Sequence, residues 1–129
     1  MAFRFVGTRI TGPRGDSGVL VFCADADTAF TDRDRLVFFL SRPDGGMVMK
    51  RTMKIDENGC ATLTLGCAET DALAPGVYLW SARYVLDAVL DGEGNATGGT
   101  WVETPWRNRA VVVQVVNGQL CRCGAGSAS

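Results

Sequence analysis

The chain has 129 residues, enough for one domain with one core, and its apolar fraction of 47% is ordinary for a soluble globular protein. Its net charge of −1 provides no electrostatic footprint for nucleic acid or an anionic membrane, so we expect neither as a partner. The chain has no histidine, which removes the commonest general base and the commonest metal ligand.

The first strands of the chain are short and separated by polar turns. Phe3–Ile10 is predicted as one strand, and Val19–Ala24 and Leu36–Leu40 follow as strands that are apolar on both faces. Two-sided apolar strands belong in the middle of a sheet. The segment Asp25–Asp34 between them is predicted as a polar loop, and Arg42–Gly46 as a turn because proline and glycine favour turn dihedrals.

The middle of the chain alternates between apolar and polar residues. Met47–Ile55 alternates, the turn sequence Asn58-Gly59 follows, and Cys60–Leu65 alternates again. Asn-Gly between two alternating segments is the strongest short signal for a hairpin. The sequence therefore predicts that these two segments pair with each other.

The last third of the chain is predicted to hold one long strand and its return. Cys67–Leu73 could form one helical turn, after which apolar residues fall on every second position from Tyr78 to Leu90, as in a half-buried strand. A Gly-rich loop follows. Because Pro105 cannot donate to a ladder, we predict one interrupted returning strand over two segments, Thr100–Trp106 and Ala110–Val116.

Five cysteines are present: Cys23, Cys60, Cys67, Cys121 and Cys123. The number is odd and the spacing uneven, and the N-terminus has no signal-peptide pattern because Arg4 and Gly7 interrupt its apolar residues. These features argue against a disulfide framework. Cys23 lies in an apolar strand, so we expect it to be a small buried hydrophobe.

About seven strands with turn signals between them predict an all-β fold, an immunoglobulin-like antiparallel β-sandwich. Residues 1–120 are expected to form this single domain, and residues 121–129 a flexible C-terminal tail, because its Gly, Ala and Ser residues have little to bury.

Three segments of the chain carry a resemblance to a known group of domains. They are Arg14-Gly-Asp-Ser17 before an apolar strand, Leu36-Val-Phe-Phe-Leu-Ser-Arg-Pro-Asp-Gly45, and Leu73-Ala-Pro-Gly-Val-Tyr-Leu-Trp80. In this order they resemble the immunoglobulin-like modules of bacteriophage tails, including the N-terminal domain of baseplate upper proteins. In that group a corner of the type Leu-x-Pro-Gly-x-Tyr opens the long penultimate strand. The resemblance covers about residues 14–117.

The resemblance implies assembly and carries no catalytic residues. The expected function is therefore that of a non-enzymatic structural or adaptor protein of a phage or prophage particle, which needs no cofactor. Its expected partners are other virion or tail subunits, with a second copy of the chain as a further candidate. Its expected location is the bacterial cytoplasm until assembly, and then the virion.

Acidic loops and thiols raise the alternative of a metal-stabilised domain. Asp25, Asp27, Asp32 and Asp34 form two Asp-x-Asp pairs, and the Gly-rich loop from Asp91 to Gly99 also carries oxygen ligands. Arginines beside the aspartates and the missing EF-hand pattern favour a solvated acidic turn. Cys121 and Cys123 offer two thiolates, but structural zinc needs four ligands, no histidine can complete the set, and nothing in the sequence places Cys60 and Cys67 nearby. We therefore expect no metal.

Aromatic and cationic residues near the C-terminal end mark the expected contact surface, which is the hairpin end from Asp87 to Arg109. Trp101, Trp106, Arg107 and Arg109 are the candidate interaction residues, because exposed aromatic rings and arginine are what protein interfaces favour. Two alternatives remain open from the sequence. Both tryptophans could cap the core, or they could form the aromatic platform of a carbohydrate- or receptor-binding module.

Overall fold

The computed structural model describes residues 3–24, 29–104, 106 and 109–114. This part of the chain contains nine strands and one short helix: β1 (Arg4–Val6), β2 (Arg9–Pro13), β3 (Gly18–Cys23), β4 (Arg35–Ser41), β5 (Met47–Lys54), β6 (Cys60–Leu65), α1 (Cys67–Asp71), β7 (Gly76–Leu90), β8 (Ala96–Val102) and β9 (Arg109–Gln114). Within these ranges no helix is both long enough and apolar enough to cross a membrane.

The strands form two sheets, which confirms the prediction of an all-β sandwich. The larger sheet has the order β1-β2-β9-β7-β4-β5, with β8 paired to β7, and the smaller sheet pairs β3 with β6. The larger sheet is mixed, since β2 and β9 run parallel with Ile10 opposite Val111. The prediction of a purely antiparallel sandwich is therefore wrong at the pairing of β2 with β9.

The nine strands exceed the predicted seven because two predicted strands are each divided. A turn at Gly7, whose φ of +64° suits glycine, separates β1 from β2, and these strands then pair as a hairpin. The predicted returning strand is also two strands. β8 pairs with the distal part of β7, whereas β9 lies between β7 and β2 in the larger sheet.

The predicted hairpin between Met47–Ile55 and Cys60–Leu65 is wrong. β5 pairs with β4, and β6 pairs with β3 in the other sheet, so only the bridge between Ile55 and Ala61 joins the two segments. The turn itself forms as the sequence indicates. Gly59 has a φ of +78°, and the carboxylate of Asp56 accepts hydrogen bonds from the amides of Asn58 and Cys60, both at 2.9 Å. The Asn-Gly turn here connects two sheets.

The chain divides into two compact units, and the first takes in the described residues 3–20, 64–78 and 110–114. Thr70 of α1 is fully buried in this unit. Its hydroxyl donates to the carbonyl of Asp16 at 2.6 Å and accepts from the amide of Gly15 at 3.1 Å. The Nε of Arg14 donates to the carbonyl of Asp71 at 2.8 Å. The turn before β3 is thus tied to the helix.

The second unit comprises the described residues of 21–63 and 79–109 and contains most of the aromatic core. Phe22 lies at the centre of this core, with ring centroids 6.0 Å from Phe38, 5.4 Å from Trp80 and 5.7 Å from Trp106. Phe22, Phe38 and Trp80 are each at most 2% exposed. Trp80 follows the alternation predicted for β7.

The prediction that Val19–Ala24 is buried on both faces in the middle of a sheet is wrong, because Val19 and Val21 are exposed and β3 pairs with β6 in the two-stranded sheet.

The predicted alternation of β7 over its whole length is wrong beyond Leu86. Asp87 adopts a φ of +49°, and the pairing register with β8 shifts between Leu86 and Val89. This bulge reverses the faces, so that Leu90 is 38% exposed although the alternation placed it inside. Before the bulge, Val85 lies on the face predicted to be polar and is nevertheless fully buried, so the alternation also fails at this residue.

The predicted role of Cys23 is also wrong. Strand β3 buries alternate residues, and Cys23 lies on its exposed side, where it forms a disulfide with Cys60. Cys67 is disulfide-bonded as well. Odd cysteine number and uneven spacing therefore did not exclude disulfides, since strand pairing in space brings together residues 37 positions apart.

Candidate functional site

One face of the larger sheet carries a cluster of aromatic and cationic side chains. Four adjacent strands contribute one residue each: Phe39 from β4, Lys50 from β5, Arg83 from β7 and Trp101 from β8. This set is called the aromatic–cationic face below. The strand register produces the cluster, because Phe39 lies directly opposite Lys50 and Trp101 lies directly opposite the buried Val85.

The cations of this face lie over its rings. The rings of Phe39 and Trp101 have centroids 6.2 Å apart at an interplanar angle of 39°. The Nζ of Lys50 lies 6.0 Å from the centroid of Phe39 and 5.9 Å from that of Trp101, and the Cζ of Arg83 lies 5.4 Å from the centroid of Trp101. Contacts of this kind contribute about 0.5–1 kcal/mol each at exposed sites. They hold the four side chains in one arrangement.

The aromatic residues of the face pack against a small cluster of buried apolar side chains. Val37, Val85 and Ala96 are fully buried, and Phe39, Ala88 and Trp101 pack against them while remaining partly exposed. This part of the sheet is therefore covered on the side that the sequence predicts to be polar. Trp101 is anchored by this packing, so its exposed portion is a fixed surface.

The hairpin of β7 and β8 provides the cover. Beyond the bulge at Asp87, the hairpin reaches strand β5, where the amide of Ala96 donates to Oγ1 of Thr52 at 3.0 Å. The Nζ of Lys50 donates to the carbonyl of Ala96 at 3.3 Å. Gly99, with a φ of +131°, allows the matching bend in β8. Lys50 therefore both fastens the hairpin and faces the aromatic rings.

Charged groups at the face favour binding of oxygen-rich ligands. Arg83 forms an ion pair with Glu103 at 3.5 Å, and the two side chains are 39% and 60% exposed. The Nε of Arg83 is buried and has no hydrogen-bond partner among the described residues. Guanidinium and ammonium groups donate to carboxylates and carbonyl oxygens. The face combines such donors with half-exposed aromatic surface.

The four predicted interaction residues do not lie together. Trp101 belongs to the aromatic–cationic face, whereas Trp106 packs in the core against Phe22, Trp80 and Tyr84 while remaining half-buried. The backbone of Trp106 is tied to β7, because its carbonyl accepts from the amide of Ala82 at 2.9 Å. Arg109 is exposed at the start of β9, and Arg107 lies outside the described residues.

The sequence interpretation missed Phe39, Lys50 and Arg83 as partners of Trp101. The sequence pattern predicts Phe39 in a two-sided apolar strand and Arg83 on the polar face of β7. The missing information is the register of three strand pairs, which sets Phe39 opposite Lys50, Val37 opposite Arg83 and Val85 opposite Trp101. A two-sided apolar β4 was the available signal that something covers this face.

The acidic loops have structural uses. Asp34 is only 6% exposed, and its carboxylate accepts from the amides of Thr31 and Asp87, so the prediction of a solvated acidic turn is wrong at this residue. Asp32 is exposed, and Asp25 and Asp27 lie outside the described residues. Across the described ranges no cluster of three or more Cys, Asp or Glu residues could hold a metal ion.

The Gly-rich loop is closed by Asp91. Its carboxylate accepts from the amides of Glu93 at 2.8 Å and Asn95 at 3.0 Å. Hydrogen bonds from the amides of Asn95 and Glu93 lower the pKa of Asp91 below its ordinary value of 3.8. The oxygens that suggested a calcium ligand thus stabilise the turn.

Comparison with protein-family models and with curated proteins finds no match to this chain. Its function is therefore inferred from the geometry of the aromatic–cationic face and from the resemblance carried by the sequence.

Proposed function

We propose that this domain is a non-enzymatic adaptor of a phage or prophage particle that binds another protein through the aromatic–cationic face. The observation that carries the proposal is the half-exposed ring of Trp101, flanked by Lys50 and Arg83 and supported by buried Val85. Protein interfaces are enriched in aromatic residues and arginine, and their binding energy concentrates in a few such side chains.

Rigidity of the face adds to the argument. A side chain that is already held in place loses less conformational entropy on binding. Trp101 is packed on the buried cluster, and the hydrogen bond from the amide of Ala96 to Thr52 fixes the hairpin beside it. The face is therefore suited to bind a partner without reorganising.

The corner at the start of β7 supports the immunoglobulin-type architecture that the resemblance implies. The hydroxyl of Tyr78 donates to the carbonyl of Ala74 at 2.7 Å, within the sequence Leu73-Ala-Pro-Gly-Val-Tyr78. A tyrosine that bonds back to the backbone a few residues upstream at this position is a feature of immunoglobulin-type sandwiches. A fold of this type serves many functions, so the corner supports the architecture and the tail setting is part of the proposal.

A carbohydrate- or receptor-binding module is the second candidate, and the half-exposed Trp101 favours it. The two cations argue against stacking of a neutral sugar, because Lys50 and Arg83 lie over the ring that such a sugar needs. A glycan-binding screen on the wild-type protein distinguishes the two candidates. Glycan binding by a monomer that binds no protein subunit contradicts the adaptor proposal.

The direct test measures association with candidate subunits. The protein is titrated with each virion subunit encoded beside it, and with itself, by calorimetry and light scattering. We expect one defined complex that Trp101→Ala weakens by about thirtyfold, since a hot-spot residue contributes about 2 kcal/mol or more. Arg83→Gln should also weaken it.

A matched control is Arg33→Gln, which removes another surface arginine. Arg33 forms an exposed ion pair with Asp87, at 72% and 70% side-chain exposure, and such pairs contribute little to stability. Thermal unfolding of each variant verifies that the fold is intact. Equal affinity for wild type, Trp101→Ala and Arg83→Gln would show that the partner binds elsewhere.

A further inference from the structure

Strand β5 ends the larger sheet. It runs over eight residues, Met47–Lys54, and pairs with β4 on one side, while no strand within the described ranges pairs with its other side. An edge of this kind presents a row of backbone donors and acceptors to any extended segment that can pair with it. Addition of a strand to such an edge is a common mode of peptide recognition.

The charge on this edge has one sign. Lys50 and Lys54 are the two lysines of the chain, and both are exposed. They lie on the same face of β5 with Thr52 between them, because side chains of a strand alternate. Met47–Lys54 contains no acidic residue. The edge therefore offers two ammonium groups four residues apart, that of Lys54 and that of Lys50, which also donates to the carbonyl of Ala96.

We propose that an acidic, extended segment of a partner protein adds to β5 as a further strand. The inference deepens the proposed function, on which it rests, by giving the partner's chemistry. Two carboxylates at positions j and j+4 of that segment lie opposite Lys50 and Lys54, and a small residue between them lies opposite Thr52. Directly opposite side chains have Cβ atoms about 4.5–5.5 Å apart, so oppositely charged pairs attract.

A second copy of the chain is a poor occupant of this edge. Antiparallel pairing of two β5 strands centred on Thr52 sets Lys50 of one copy opposite Lys54 of the other. Centring on Lys50 sets the two Lys50 residues opposite each other. Like charges directly opposite are destabilising, and lysines on edge strands deter self-pairing for this reason. The charge selects a partner of opposite sign.

Lys50 connects the edge to the aromatic–cationic face. Its Nζ lies 5.9 Å from the centroid of Trp101, so a strand added to β5 continues the surface on which that face lies. One partner can therefore use both features, with its strand on β5 and its neighbouring side chains against the exposed parts of Phe39 and Trp101. The edge supplies register through Lys50 and Lys54, and the face supplies apolar contact.

Synthetic peptides provide the test on the full-length protein. The probe is a fluorescent peptide centred on Glu-Val-Thr-Val-Glu. Its controls are the same peptide with lysine for both glutamates, and a version with backbone N-methyl groups on alternate residues, which cannot complete a ladder. We expect the acidic peptide alone to bind in an anisotropy titration. Carbodiimide coupling should then join its glutamates to Lys50 and Lys54, as mapped by mass spectrometry.

Charge reversal tests the register. Lys54→Glu should lower the affinity for the acidic peptide by about tenfold and allow the lysine peptide to bind. Arg9→Glu is the matched control, since it changes the net charge equally at an exposed residue of β2, and it should leave binding unchanged. Binding of the N-methylated peptide as strong as that of the unmodified peptide overturns strand addition, and so does an equal effect of the two charge reversals.

Failure of this inference can be told apart from failure of the proposed function. If no acidic peptide binds, the inference is overturned, even where Trp101→Ala still weakens association with a virion subunit. If the peptide binds with the expected charge and backbone dependence while Trp101→Ala leaves subunit association unchanged, the edge is supported and the aromatic–cationic face is not the contact.

Discussion

The buried carboxylate of Asp34 accepts a hydrogen bond from the backbone amide of Asp87, 53 residues further along the chain, at 3.0 Å. The other oxygen of the carboxylate accepts from the amide of Thr31 at 2.8 Å, and the carbonyl of Arg33 accepts from the amide of Ala88 at 2.9 Å. The loop before β4 thus holds the bulge of β7. Because that bulge redirects the hairpin toward β5, Asp34 acts on the aromatic–cationic face from a distance.

Replacement of Asp34 by alanine leaves two backbone amides without their acceptor. We expect Asp34→Ala to lower the free energy of unfolding by about 1–3 kcal/mol, measured by urea denaturation. Asp32→Ala, at an exposed aspartate two residues away, should change it by less than about 0.5 kcal/mol. Similar losses in the two variants would assign the effect to loop charge and not to the buried hydrogen bonds.

The pattern of Met47–Leu65 shows where sequence reasoning stops. Alternation correctly predicts strands β5 and β6, and Asn58-Gly59 correctly predicts a turn. Alternation says which face is buried, but it does not say which strand is the neighbour. An Asn-Gly turn fits a hairpin and also fits a connection between two sheets, so the choice depended on contacts with β3 and β4 that are distant in sequence.

The candidate site illustrates the same limit. Trp101 could be proposed from the sequence because exposed aromatic residues near arginines are favoured at protein interfaces. Its association with Phe39 and Lys50 could not be proposed, because it depends on strand register and on the bulge at Asp87. A positive φ at a non-glycine residue has no clear sequence signal. The bulge is held by the carboxylate of Asp34, and the sequence does not show that this residue of a polar loop is buried.

At Gly99 any side chain would clash with neighbouring atoms of β7. An added Cβ would lie 2.7 Å from Cγ1 of Val85 and 2.8 Å from the carbonyl oxygen of Leu86, at a φ of +131°. We expect Gly99→Ala to lower the free energy of unfolding by about 3 kcal/mol, through the clash and the backbone strain. Gly92→Ala has nothing within 4 Å and serves as the control. Chemical denaturation of both variants measures the difference, and equal stability would mean that β8 does not bend at Gly99.

Asp91 gives the chain a measurable acid dependence. Hydrogen bonds from the amides of Asn95 and Glu93 lower its pKa, so the folded state favours the carboxylate. A lowered pKa contributes stability that is present above the ordinary value of 3.8 and is lost as the pH falls through the folded value. We expect a carboxylate NMR titration to give a pKa below 3.8 in the folded protein and the ordinary value in urea. Asn95→Ala keeps the amide donor, so its titration should match the wild type.

Tyr78 tests the corner that opens β7. Its ring is 8% exposed, and its hydroxyl donates to the carbonyl of Ala74 at 2.7 Å. Tyr78→Phe keeps the ring and removes the hydrogen bond, leaving that carbonyl without this donor. We expect a loss of about 1 kcal/mol in the free energy of unfolding, with an unchanged denaturant m-value. Wild-type stability in Tyr78→Phe would mean that solvent replaces the hydroxyl at no cost.

The disulfide between Cys23 and Cys60 closes a long loop that contains β4 and β5. Cross-linking residues 37 apart removes conformational entropy from the unfolded chain, and for this loop length the expected gain is about 4 kcal/mol. The double variant Cys23→Ser/Cys60→Ser should lose most of this stability. A variant is preferred to reductant because it leaves the disulfide at Cys67 in place. Urea denaturation compares it with the wild type, and thiol titration of the unfolded wild type should find both cysteines oxidised. If the two proteins unfold at the same urea concentration, opening the loop does not increase the conformational freedom of the unfolded chain, and the entropic prediction is wrong.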